Sequence, residues 1–141
     1  MLFRKILNIF KNEKKKDNGI KFVKLENPSI EFISAELING IYDIENVYFW
    51  NHHGCTKEDY MQLAEKSKIL YEKYLGGKDI ELLKEDVDCK DVAGAYLSEK
   101  QIICVYKCNE GYQLVSDGRH RVTAAKELRI FIPVKVIGEN K

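Results

Sequence analysis

Long apolar runs are missing from this chain. Its opening stretch, Met1 to Phe10, is broken by Arg4, Lys5 and Asn8. It has no extended apolar centre and no small-residue cleavage site, so it reads as neither a secretory leader nor a membrane span. An excess of one charge is missing too. Lys and Arg number 23 against 22 Asp and Glu, a net charge of +1. Global charge therefore makes no case for nucleic-acid binding. The cysteines, Cys55, Cys89, Cys104 and Cys108, include no CxxC pair. With no leader before them they read as reduced thiols of a cytoplasmic protein rather than a disulfide framework. No internal repeat is present, and no low-complexity tract beyond Lys14-Lys15-Lys16.

What is present describes one soluble domain. The chain has 141 residues, 45% hydrophobic and 32% charged, enough to bury about two-thirds of its unfolded surface without a staple. Residues 1–19 read as a basic amphipathic arm. Leu2, Phe3, Ile6, Leu7, Ile9 and Phe10 recur at helical spacing ahead of the lysines, and Asp17-Asn18-Gly19 marks a boundary. Such a helix most often packs on its own domain or on a partner; membrane contact is the weaker reading. Residues 20–141 form the expected domain.

Within it, Ile20 to Leu25 alternates as a short strand that Asn27-Pro28-Ser29 should break. A short helix is expected near Ser34 to Asn39, and extended chain near Val47 to Trp50. Thr56 is a good N-cap, with Glu58 and Asp59 in the first turn. Tyr60, Leu63, Ala64, Ser67, Leu70, Tyr71 and Tyr74 then share one helical face, and Gly76-Gly77 ends the helix. A short segment is expected at Glu81 to Lys84 and a turn or helix around Val92 to Tyr96. Gln101 to Lys107 and Tyr112 to Ser116 read as a hairpin around Asn109-Glu110-Gly111. A helix over Arg119 to Leu128 follows. Ile130 to Ile137 closes the sheet, with Pro133 placing part of it at an edge or a strand start. The fold class is α/β, a small mixed sheet with packed helices.

The most informative stretch is Ser116-Asp117-Gly118-Arg119-His120-Arg121-Val122-Thr123-Ala124-Ala125. It sets a glycine turn, two arginines and a histidine at a helix N-terminus. Unpaired N–H groups and the positive end of the helix dipole make such a place an anion site. Asp117 is expected to cap the helix and Gly118 to allow the tight turn. A guanidinium can hold two phosphate oxygens at once, so Asp117, Gly118, Arg119, His120 and Arg121 are the candidate phosphate contacts. The blander reading has Arg121 paired with a carboxylate and His120 on the surface. Lys126, beyond the helix N-terminus, is expected to contribute little to phosphate binding.

This stretch, followed by Ile132-Pro133-Val134-Lys135-Val136 and preceded by Ile102-Ile103-Cys104-Val105 and Tyr112-Gln113-Leu114-Val115, resembles the ParB/sulfiredoxin superfamily. The match lies mainly in residues 101–137. The resemblance implies a ParB/sulfiredoxin-like fold and a nucleotide site in which Gly118, His120 and Arg121 touch phosphate. Arg119 stands where sulfiredoxins carry their catalytic cysteine, so sulfinic-acid repair is not expected. Arg119-His120 also replaces the glutamate-arginine pair of partition ParB proteins, and no helix-turn-helix follows. Free-serine kinases of the superfamily place a glutamate nearer the N-terminus, for which Glu31, Glu36 and Glu45 are candidates.

Trp50-Asn51-His52-His53-Gly54-Cys55 precedes the long helix. No second ligand pair has the spacing zinc needs, so no metal site is assigned. His52, His53 and His120 are weak acid–base candidates. Cys104, Cys108 and the tyrosines Tyr60, Tyr71, Tyr74, Tyr96, Tyr106 and Tyr112 read as core, with base stacking an alternative for Tyr112. The expected function is nucleotide binding through phosphate, with nucleoside triphosphate and magnesium as ligand and with hydrolysis or phosphoryl transfer left open. The alternative is a non-catalytic module of the same fold that binds nucleic-acid backbone or a protein partner.

Overall fold

The computed structural model describes residues 22–41, 57–115 and 117–140. The arm, the cap at Thr56 and the extended segment near Val47 lie outside those residues. The protein is an α/β fold in which four helices pack against a five-stranded mixed open sheet. In chain order the strands are β1 Phe22–Ser34, β2 Ile38–Ile41, β3 Ile103–Cys108, β4 Gly111–Leu114 and β5 Phe131–Asn140. The helices are α1 Lys57–Leu75, α2 Ile80–Glu85, α3 Lys90–Tyr96 and α4 Arg119–Leu128.

The sheet order is β1-β5-β3-β4-β2. β5 pairs antiparallel with β1 and parallel with β3. β3 and β4 form the expected hairpin, and β2 lies parallel to β4. Laid flat, β1 and β2 would stand four strand spacings apart, about 19 Å. The four Cα steps from Ser34 to Ile38 reach at most about 15 Å when straight, and here they hold a 3₁₀ turn, Ala35–Leu37. The sheet therefore has to coil, bringing its two edge strands toward each other. Both sides of that turn are tied to α4 and its exit. Ala35 N–H donates to Ile130 O at 3.0 Å, and Lys126 Nζ donates to Ile38 O at 2.6 Å.

The core fills from both layers. Ile33, Ile103, Val105, Leu114, Ile132 and Val134 come from strands; Leu70, Tyr96, Val122 and Ala125 come from helices. α1 ends in a Schellman motif, Lys78 N–H to Lys73 O and Gly77 N–H to Tyr74 O, both 3.0 Å, with Gly77 at φ 109°.

Two expectations need correction. Pro28 does not break a strand: β1 runs through it, and the pairing register with β5 shifts between Lys24 and Ser29. A bulge on an edge strand tolerates a residue with no N–H. Tyr112 is buried in the core, where no base can stack on it. Pro133 stands near a strand start, as expected: it lies close to the beginning of β5, opposite Phe32 of β1, and the β3 ladder begins one residue later, at Ile103 opposite Val134. Lys126 makes a contact the sequence does not announce, donating to Ile38 O.

Candidate functional site

β4 leads through Val115 into the Asp117-Gly118 turn, and α4 starts at Arg119. Gly118 is the N-cap residue, in the left-handed region at φ 108°, ψ 8°. An added Cβ there would meet Ile103 Cγ1 at 2.9 Å and Arg121 Nη2 at 3.2 Å. Only glycine fits both the angle and the space. Asp117 is exposed, and its carboxylate accepts from Gly118 N–H at 2.9 Å, one residue earlier than expected. Gly118, as the N-cap residue, has no side chain with which to cap α4. The first-turn N–H groups of a helix have no acceptor within the helix.

α4 packs with Val122, Thr123, Ala124 and Ala125 buried. The Thr123 hydroxyl donates to Arg119 O at 2.7 Å, turning its oxygen into the first turn. α1 runs alongside. The Tyr60 ring lies 4.8 Å from that of His120, and Lys57 Nζ is 3.7 Å from Glu127 Oε1. Arg119 and His120 are half-buried on the first turn. Burial lowers the Arg119 pKa, but arginine stays charged in proteins.

Arg121 takes a place the sequence did not announce. It is 7% exposed. Its Nη1 donates to Ala95 O at 2.6 Å and to Gln101 O at 2.5 Å. Its guanidinium carbon sits 5.7 Å from the centre of the Tyr96 ring, in a cation–π arrangement. Burial, first of all, lowers its pKa; the field of Asp117 is the largest influence raising it. Among the described residues no carboxylate lies within ion-pair distance of it. Among the described residues, this charged group at the first turn of α4 thus has carbonyls, not a counter-ion, as its partners. Nη1, committed to two carbonyls, is not free to chelate a phosphate.

No family model, no characterised protein and no solved structure matches this chain.

The remaining candidates are dispersed. Glu36 pairs with Arg129 at 3.4 Å, and Arg129 is the C-cap of α4. The ten residues of α4 span about 15 Å, which sets Glu36 at the wrong end of the helix for the Gly118 turn. Glu31 lies in β1 and accepts from the Ser29 hydroxyl at 3.4 Å. Its field adds to burial, the larger cause, in raising the Tyr112 pKa. Glu45, His52 and His53 lie outside the described residues. The described residues on either side of them are Ile41, which pairs with Leu114 just before the turn, and Lys57, which pairs with α4. Among the described residues no cluster of three His, Cys, Asp or Glu could hold a metal ion, and no helix is long and apolar enough to cross a membrane. Cys89 is buried, while Cys104 and Cys108 are half-buried; all three are free thiols.

Proposed function

We propose that the protein binds the phosphate end of a nucleotide or polyphosphate at the Gly118 turn. One observation carries the reading: a buried guanidinium, with no counter-ion among the described residues, stands in the first turn of a helix entered through a left-handed glycine. A buried charge is costly unless compensated. Two carbonyls solvate Arg121 but leave its net charge in place. That charge adds to the positive end of the α4 dipole. A bound phosphate would neutralise both, and it would accept from first-turn N–H groups and from Arg119 and His120.

The chain order of β3, hairpin, β4, glycine turn, α4 and β5 is the order that the resemblance to the ParB/sulfiredoxin superfamily implies, and it supports the same reading. The site residues are Gly118, Arg119 and His120 as contacts and Arg121 as the charge beneath. Magnesium would arrive with a nucleoside triphosphate. Binding is the claim; Asp117 and His120 are the carboxylate and the histidine that the described residues bring to the turn.

Calorimetry of the full chain with ATP, ADP and pyrophosphate, with and without magnesium, tests this. Arg119→Ala should weaken binding about ten- to a hundredfold, the loss of one charge-assisted hydrogen bond of about 1.5–3 kcal/mol. Lys66→Ala, on the exposed side of α1, should leave it unchanged. Equal affinity in Arg119→Ala and the parent would remove Arg119 from the site. No binding at millimolar ligand would end the nucleotide reading and favour the interaction-module alternative.

A further inference from the structure

We propose that Arg121 is a positioning residue that couples the anion turn to the connection between α3 and β3. This rests on the anion reading above and goes beyond it. The two carbonyls held by Nη1 belong to Ala95, in the last turn of α3, and to Gln101, just before β3. They stand at the two ends of the segment 95–101. That segment closes on itself through Leu97 N–H to Ala93 O at 2.8 Å, Gln101 N–H to Ser98 O at 3.1 Å and Ile102 N–H to Ser98 O at 2.9 Å. One guanidinium therefore pins both ends of a tight loop from a helix 20 residues further along the chain.

The other side of Arg121 faces the anion turn. Its Nη2 lies 3.2 Å from where a Gly118 Cβ would stand, and Ile103, the first residue of β3, fills the neighbouring space. The Tyr96 ring lies under the same guanidinium, and the Tyr96 hydroxyl is buried without a hydrogen-bond partner. The nearby Ser67 hydroxyl donates instead to Ala64 O at 2.7 Å. The guanidinium and the surrounding core packing hold the Tyr96 ring. A phosphate over the Gly118 turn would favour the charged guanidinium in its present place, between the turn and the carbonyls, and so favour its bonds to Ala95 and Gln101. By reciprocity, loosening those bonds would weaken the anion.

Hydrogen exchange on the full chain tests the coupling, with inorganic pyrophosphate as the probe. In the parent, saturating pyrophosphate should slow exchange of the Leu97, Gln101 and Ile102 amides at least fivefold. Arg121→Lys keeps a cation but cannot bridge both carbonyls. Without ligand it should speed exchange at those three amides about tenfold, leave the amides around Leu70 unchanged, and lose the protection that pyrophosphate gives. Ethylguanidinium added to Arg121→Ala should restore part of both pyrophosphate affinity and loop protection, which a merely destabilised protein would not do. Binding of pyrophosphate to the parent without protection of these amides overturns the coupling and leaves the site standing. Failure of the parent to bind pyrophosphate overturns both. The parent measurement needs no variant, so poor folding of the Arg121 substitutions does not spare the proposal.

Discussion

At the scale of single residues, two positions govern the anion turn, and they differ in how well the sequence announces them. Gly118 was legible: a glycine between an aspartate and a helix start implies a left-handed turn. Its φ of 108° and the crowding by Ile103 and Arg121 give the reason in full. Gly118→Ala should lower the stability of the chain by more than about 1 kcal/mol, since alanine is strained at positive φ and its methyl must displace Ile103. Urea denaturation reads this directly; an unchanged midpoint would mean that the turn relaxes without cost. Arg121 was legible as an arginine that matters but not in its role. Its partners are backbone carbonyls 20 and 26 residues away. Carbonyls are present at every residue, so no spacing or residue type could point to them.

Among the elements, α1, α4 and the β3–β4 hairpin were readable because each carries its own local punctuation: acidic first turn, glycine end, two-residue turn. Misreadings arose where neighbours decide. Pro28 looks like a terminator in isolation, yet a bulge on β1 absorbs it, whereas Pro133 stands near the strand start where it is expected. The link from α1 to α2 was also invisible in sequence. The Asp86 carboxylate, 4% exposed, takes Lys73 Nζ at 2.8 Å and Lys78 Nζ on one oxygen, and Asp88 N–H at 2.9 Å on the other. Lys73, first, and Lys78 hold the Asp86 pKa far below the usual carboxylate range. The same contact raises the pKa of Lys73. A carboxyl whose pKa is lower folded than unfolded stabilises the fold above its unfolded value, about 3.9. That contribution is lost as pH falls toward the folded value. The lysine contribution is full below its ordinary value and fades only at alkaline pH. Asp86→Asn should therefore melt at a lower temperature than the parent at pH 7, with the gap closing as pH drops from about 4 toward 2. Melting curves across that range check it; a gap that stays constant would show that Asp86 acts through shape rather than charge.

For the whole molecule, the coil of the sheet is the organising fact, and it escaped the sequence because it depends on which strands become neighbours. A three-residue turn joins the two edge strands, and α4 is fastened to both sides of it. Lys126 is the fastening on the β2 side. Lys126→Ala would leave the Ile38 carbonyl without that donor, at a cost of about 1–3 kcal/mol. The loss should appear first as faster hydrogen exchange along β2 and β4 and only then in the global melting temperature. Uniform loss across all strands would instead mean that the sheet opens as one unit. The coil has a further consequence at the opposite edge. β1, 13 residues long, is an outer strand of a kind that invites a second chain to pair with it. Pro28 offers no N–H there, the register shift between Lys24 and Ser29 bends the strand away from a straight template, and Lys24 and Glu26 place charges beside the bend. The proline that reads in sequence as the end of a strand thus works in the fold against edge-to-edge strand pairing between molecules.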